Sequence, residues 1–178
     1  MAGVSLRLAR PLLPAFSLLT ERYIAHHRSR LYPRAQPIPL ETAVRLAGFF
    51  SNDILQATRV VEAVVPAPFF YPIVRRMGLG EFPEMSAIGA ITFVDLIAYP
   101  EPPDLRTLFH ELVHVVQYRV LGLRAFARNY VRGFVSGGGY DQVPLEQEAY
   151  ELDLRFSRNR NRRFSVEDEV RRRWLEES

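Results

Sequence analysis

The segment from Ala90 to Gly122 constrains the fold more than any other part of the chain. It opens with AITFVDLIAY, in which Ile91, Phe93, Asp95 and Ile97 alternate with Thr92, Val94, Leu96 and Ala98. That proline-free run of β-branched and aromatic residues predicts a strand over 90–99. Pro100, Pro102 and Pro103 end it, and Asp104 stands where a helix N-cap belongs. Leu105 to Leu121 then predicts a helix stopped by Gly122. The expected class is α+β, mainly helical, with one small sheet beside this helix.

Other elements follow from the same signals. Leu40 to Phe50 and Ile54 to Val65 both show helical spacing of apolar residues and predict a helical pair broken at Ser51-Asn52-Asp53. Pro66 to Pro83 predicts a loop-rich connector. Leu123 to Phe134 predicts a further helix before the Ser136-Gly137-Gly138-Gly139 turn, and Pro144 opens another that reaches about Arg158. A last amphipathic piece covers Ser165 to Leu175. The expected organisation is a basic N-terminal arm (1–38), one domain (39–158) and a basic helical tail (159–178), with no internal repeat.

The 178 residues, 48% hydrophobic and 24% charged, suffice for a self-sufficient core. There is no cysteine, which excludes disulfides, thiolate metal sites and a cysteine nucleophile. All 23 basic residues are arginine, so Schiff-base chemistry and a lysine phosphate loop are excluded as well. The net charge of +3 is unevenly spread: residues 1–45 carry seven Arg against two Glu, residues 46–154 eight against thirteen acids, and residues 155–178 eight against five. Only the ends are basic, and no nucleic-acid partner is expected. Arg7, Arg10, Pro11 and Pro14 interrupt the apolar N-terminus where a signal peptide needs an unbroken run, and Val60 to Val74 holds Glu62 and three prolines. These features predict a cytoplasmic protein with no transmembrane segment, and leave peripheral lipid contact open.

The chemistry lies in HELVHVVQ, residues 110–117. One helical turn separates His110 from His114, so both imidazoles leave one face at a spacing that grips a single metal ion. Glu111 lies about 100° round the helix, within reach of a metal-activated water whose proton a carboxylate can take. His26 and His27 are adjacent and diverge, and are expected at the surface.

A catalytic zinc site needs a third protein ligand. Gln117 and Val120 stand where an extended HExxHxxGxxH motif has Gly and His, so that ligand comes from elsewhere. The acidic cluster Glu146-Gln147-Glu148-Ala149-Tyr150-Glu151 lies on its own predicted helix, whose buried stripe is Leu145, Ala149, Leu152 and Phe156. Glu148 falls about 70° from the stripe centre, Glu146 about 90° and Glu151 about 130°, which favours Glu148 by a small margin.

HELVHVVQ, preceded by AITFVDLIAY and followed by PLEQEAY, resembles the gluzincin branch of the zincin metallopeptidases, within it the small minigluzincin-like and DUF4157-type domains, over about residues 85–157. The resemblance implies a zincin-like domain that binds zinc through His110, His114 and a helix-borne Glu, with Glu111 as general base. It also implies that the 90–99 strand is an edge strand along which an extended peptide or protein substrate aligns. The Glu-Ala pair of such ligand helices matches Glu148-Ala149. Two features depart from the pattern. Leu152 replaces the acid often found four residues after the ligand Glu, where Glu151 or Asp153 would substitute. No oxyanion histidine follows, which leaves Tyr140, Tyr150 or an arginine for that role.

The expected function is therefore zinc-dependent peptide hydrolysis. The alternative is a catalytically silent zincin-fold binding or delivery module that keeps zinc.

Overall fold

The computed structural model describes residues 10–68, 70–76, 89–137 and 139–176. It is a mainly helical α+β fold around a four-stranded mixed sheet. In chain order the helices are α1 (Leu13–Leu31), α2 (Leu40–Leu46), α3 (Asn52–Ala57), α4 (Tyr71–Arg76), α5 (Leu105–Leu121), α6 (Leu123–Gly137), α7 (Pro144–Arg158) and α8 (Val166–Arg171). The strands are β1 (Gln36–Pro37), β2 (Arg59–Glu62), β3 (Ile91–Phe93) and β4 (Leu96–Tyr99), in spatial order β1-β2-β4-β3. β2 and β4 run parallel, and β1 and β3 pair antiparallel to them at the edges.

The helix over 105–121 has the bounds its sequence predicts. The Asp104 carboxylate accepts from Thr107 N at 2.7 Å, and Gly122, at φ 76°, adopts the left-handed conformation that ends the helix. α7 likewise begins at Pro144 and ends at Arg158.

The helix expected over Leu40–Phe50 stops at Leu46, and three further expectations differ from the structure. The 90–99 segment is a hairpin, in which Phe93 pairs with Leu96 across a turn at Val94-Asp95. Val94 sits at φ 65° without the glycine that normally marks such a turn, and Arg28 fastens the next residue by donating to Asp95 Oδ2 at 2.8 Å. The helix expected over 54–65 stops at Ala57, and Arg59–Glu62 becomes β2 because Val60 and Val61 pair with Ile97 and Ala98 inside the sheet. His27 is buried, stacked on Phe93 with ring centroids 5.4 Å apart.

The register divides the sheet into two faces. Val60 and Ile97 join α5, α7 and α8 in one core, while Val61, Phe93, Leu96 and Ala98 join α1 and α6 in a second. Both chain ends take part in this packing. Phe16, Ile24 and Leu31 of α1 belong to the second core, and Phe164, Val166 and Val170 to the first. Among the described residues no helix is long and apolar enough to cross a membrane.

The start of α7 is set by a close approach to α6. A Cβ on Gly133 would lie 2.5 Å from Pro144 Cδ and 3.2 Å from Val143 Cα, so only glycine lets the two segments meet. Gly133→Val should lower the unfolding free energy by about 1–3 kcal/mol through overpacking, as read by chemical denaturation. An unchanged midpoint overturns this account of the contact.

Candidate metal centre

α5 is buried along its whole middle, Leu108 through Tyr118, and four polar side chains are enclosed with it: His110, Glu111, His114 and Gln117. Buried polar groups need partners, and neighbouring elements supply them. Asp153 of α7 accepts from His110 Nδ1 at 3.0 Å, and Arg106 braces the same carboxylate with bonds of 2.9 and 2.7 Å. Gln117 Nε2 donates to Leu145 O at 2.9 Å and to Glu148 Oε2 at 2.8 Å. These two acceptors orient the amide, so Gln117 Oε1 faces His114 Nδ1 at 2.8 Å and must accept from it. Both imidazoles therefore hold their Nδ1 protons outward and turn Nε2 inward.

The two Nε2 atoms meet at 3.2 Å, and Glu146 Oε2 lies 3.4 Å from one and 3.3 Å from the other. One ligand atom from each of His110, His114 and Glu146 lies within 4.8 Å of the others, and all three residues are buried. Two converging nitrogen lone pairs and a carboxylate repel one another unless a positive charge stands between them. The donor set fits a divalent ion with tetrahedral nitrogen and oxygen preferences.

The titration of the cluster reports the same demand. Burial opposes charge on His110, yet hydrogen bonds to Asp153 and Glu146 and the field of Glu111 win and push its pKa up to about 10. Burial opposes charge on His114 too, and Glu146 outweighs it and raises the pKa. Glu146 is held well below the usual carboxylate range, because the two histidines overcome the desolvation that would raise it. Tyr140 donates to Glu146 Oε2 at 2.7 Å, and Tyr130 also hydrogen-bonds that carboxylate. Burial first, and Glu146 second, raise both phenols far above their ordinary value, so they remain protonated donors.

Glu111 faces the sheet. The Thr92 hydroxyl lies 2.6 Å from Glu111 Oε2 and 3.1 Å from Glu111 O, which fixes the side chain's direction. Glu111, His114, Glu146 and Tyr140 border one cavity of about 140 Å³, whose remaining wall is mostly apolar and includes Phe16 and Ile24 of α1, Phe93 of β3, and Phe126 and Phe134 of α6.

The structure thus brings together His110, His114, Glu111 and Tyr140 as expected residues of one site. It does not bring Glu148 to the histidines. The carboxylate there is Glu146, while Glu148 Oε2 accepts from Gln117 and from Trp174 Nε1 at 2.7 Å, and burial raises its pKa despite these donors. Both glutamates flank the buried stripe of α7, on opposite sides; the histidines of α5 stand on the side of Glu146 and Gln117 on that of Glu148. Asp153, two turns on from Glu146, shares its flank and reaches the other nitrogen of His110. Tyr150 lies on the outer side, 45% exposed, its ring centroid 4.6 Å from that of His110, and does not border the cavity. Thr92, Gln117 and Tyr130 were not read from the sequence. Only Gln117, three residues after His114 on one helix, carried a local signal.

No known protein family matches this chain, and no curated protein or solved structure matches it either.

In metal-free protein, His110 should keep its proton at about pH 8. Its pKa rises from 6.5 to about 10, so its stabilisation is complete below the lower value and is lost as pH rises through the upper. Imidazole NMR resonances and denaturation midpoints across that range check this, and a neutral His110 at about pH 8 overturns it.

Proposed function

We propose that the protein is a zinc-dependent peptidase of the gluzincin kind, with His110, His114 and Glu146 as the metal ligands and Glu111 as the general base. The observation that carries this reading is the buried convergence of two Nε2 atoms and one carboxylate oxygen, each histidine tied at Nδ1 to its own acceptor. Such outer partners fix ligand tautomer and direction in zinc sites. The HELVHVVQ resemblance points the same way.

When bound, zinc supplies Lewis acidity toward a water and a peptide carbonyl. Glu111, held by the Thr92 hydroxyl, accepts the water's proton and delivers it to the departing amine. Tyr140, kept protonated by burial, is the nearer of the two expected tyrosines to the cavity and offers a hydrogen bond to developing oxyanion charge. β3 is an edge strand of the sheet, so an extended peptide can add beside it. The cavity admits a bulky apolar side chain next to the scissile bond, since an apolar void of about 150 Å³ holds a benzene-sized group.

Purified protein should hold one zinc per chain. His110→Ala, His114→Ala or Glu146→Ala should each weaken zinc binding beyond the roughly 10–100-fold that loss of an outer partner costs, whereas Glu148→Ala should stay within that range. Titration against a competing chelator reads the difference. Equal losses for Glu146→Ala and Glu148→Ala, or no zinc at all, overturn the ligand set.

Glu111→Gln should retain zinc and lower hydrolysis of a peptide library by about 10²–10⁴-fold, because an amide cannot accept the water's proton. A zinc-loaded wild type that cleaves nothing favours the binding or delivery module.

A further inference from the structure

The layer formed by α1 and α6 carries charge that the protein itself does not answer. α1 holds Arg22, Arg28 and Arg30 against Glu21 alone, and α6 holds Arg124, Arg128 and Arg132 with no carboxylate. These two helices thus carry more positive charge than the whole chain's net +3. Arg28 is paired with Asp95, and Arg124 approaches Glu21 only to 3.8 Å with its side chain 85% exposed. Arg128 and Arg132 are exposed, and among the described residues neither has a carboxylate partner.

Spaced four apart, the three arginines of α6 share one helix face. They line one side of an open groove of about 710 Å³, and Leu13, Pro14, Leu18 and the single carboxylate Glu21 of α1 line the other. Leu18 is 43% exposed. We infer that this face docks on an anionic lipid surface, with the arginines on lipid phosphates and Leu18 in the headgroup boundary. Guanidinium groups match phosphate geometry, and leucines set beside arginines are the composition that binds at a charged interface. A nucleic acid fits less well, because the groove offers no aromatic ring for a base to stack on and no amide to read one. A neighbouring side of α1 presents Phe16, Thr20, Tyr23 and Ile24 to the cavity beside Glu111 and His114.

Docking at this face needs neither the metal centre nor catalytic activity. Full-length protein is sedimented with phosphatidylcholine vesicles with and without phosphatidylglycerol, at low and high salt. Binding should require phosphatidylglycerol and fall with salt. The double variant Arg128→Gln/Arg132→Gln should bind about thirtyfold more weakly, from about 1 kcal/mol per arginine. Arg171→Gln/Arg172→Gln removes the same charge from α8 and the turn after it, and should bind nearly as wild type. Circular dichroism of both variants checks that the fold is kept. Absence of binding, equal binding to phosphatidylcholine alone, equal weakening by the two variants, or displacement from the vesicles by RNA or DNA overturns the proposal.

Discussion

The constraint on which the rest of the structure depends is that α5 is buried on every side while carrying four polar side chains. A helix enclosed all round usually carries apolar residues throughout. Each polar group left unpartnered there would cost about 1–3 kcal/mol, and an unpaired charge more. Several elements around α5 contribute to meeting that demand: the sheet through Thr92, α7 through Glu146, Glu148 and Asp153, and the C-terminal turn through Trp174. No buried side-chain nitrogen or oxygen among the described residues lacks a partner. The cluster that gathers His110, His114 and Glu146 is thus the innermost part of a satisfied polar network.

Apolar packing sets the distances in that network. Phe109, next to His110, stacks on Phe156 of α7 with ring centroids 4.3 Å apart, and Phe49 meets both rings edge-on at 5.6 and 5.1 Å. Phe156 lies three residues beyond Asp153, so the contact that joins the two helices also holds the carboxylate at His110 Nδ1. Phe164 closes the cluster against Phe49, which ties the C-terminal segment to the same frame. Aromatic pairs of this kind contribute about 0.5–1.5 kcal/mol each beyond their buried area.

Polarity is divided across the molecule. The acidic groups gather round α5 and α7, where the metal proposal needs them, and unanswered arginines lie on α1 and α6. α1 joins the two regions, since one side borders the cavity and another the arginine groove. The sequence expectation of a basic arm over residues 1–38 captured the charge of this element. It did not capture that Phe16, Ile24 and Leu31 make it a wall of the core.

The sequence by itself determined the local features. Asp104, Gly122 and Pro144 bound α5 and α7, because caps and proline act on the turn they occupy. The pairing of His110 with His114, and the place of Glu111 beside them, follow from helical geometry alone. Only the tertiary structure decided what depends on a partner element. Val60 and Val61 become a strand because Ile97 and Ala98 are there to pair with them, and 90–99 folds back at a turn where Asp95 meets Arg28 of α1. The choice between Glu146 and Glu148 was of the same kind. Helical periodicity measures how far each lies from the buried stripe, but it cannot say on which flank the histidines stand, and the packing of α5 against α7 answers that by bringing Glu146 and Asp153 to the two nitrogens of His110.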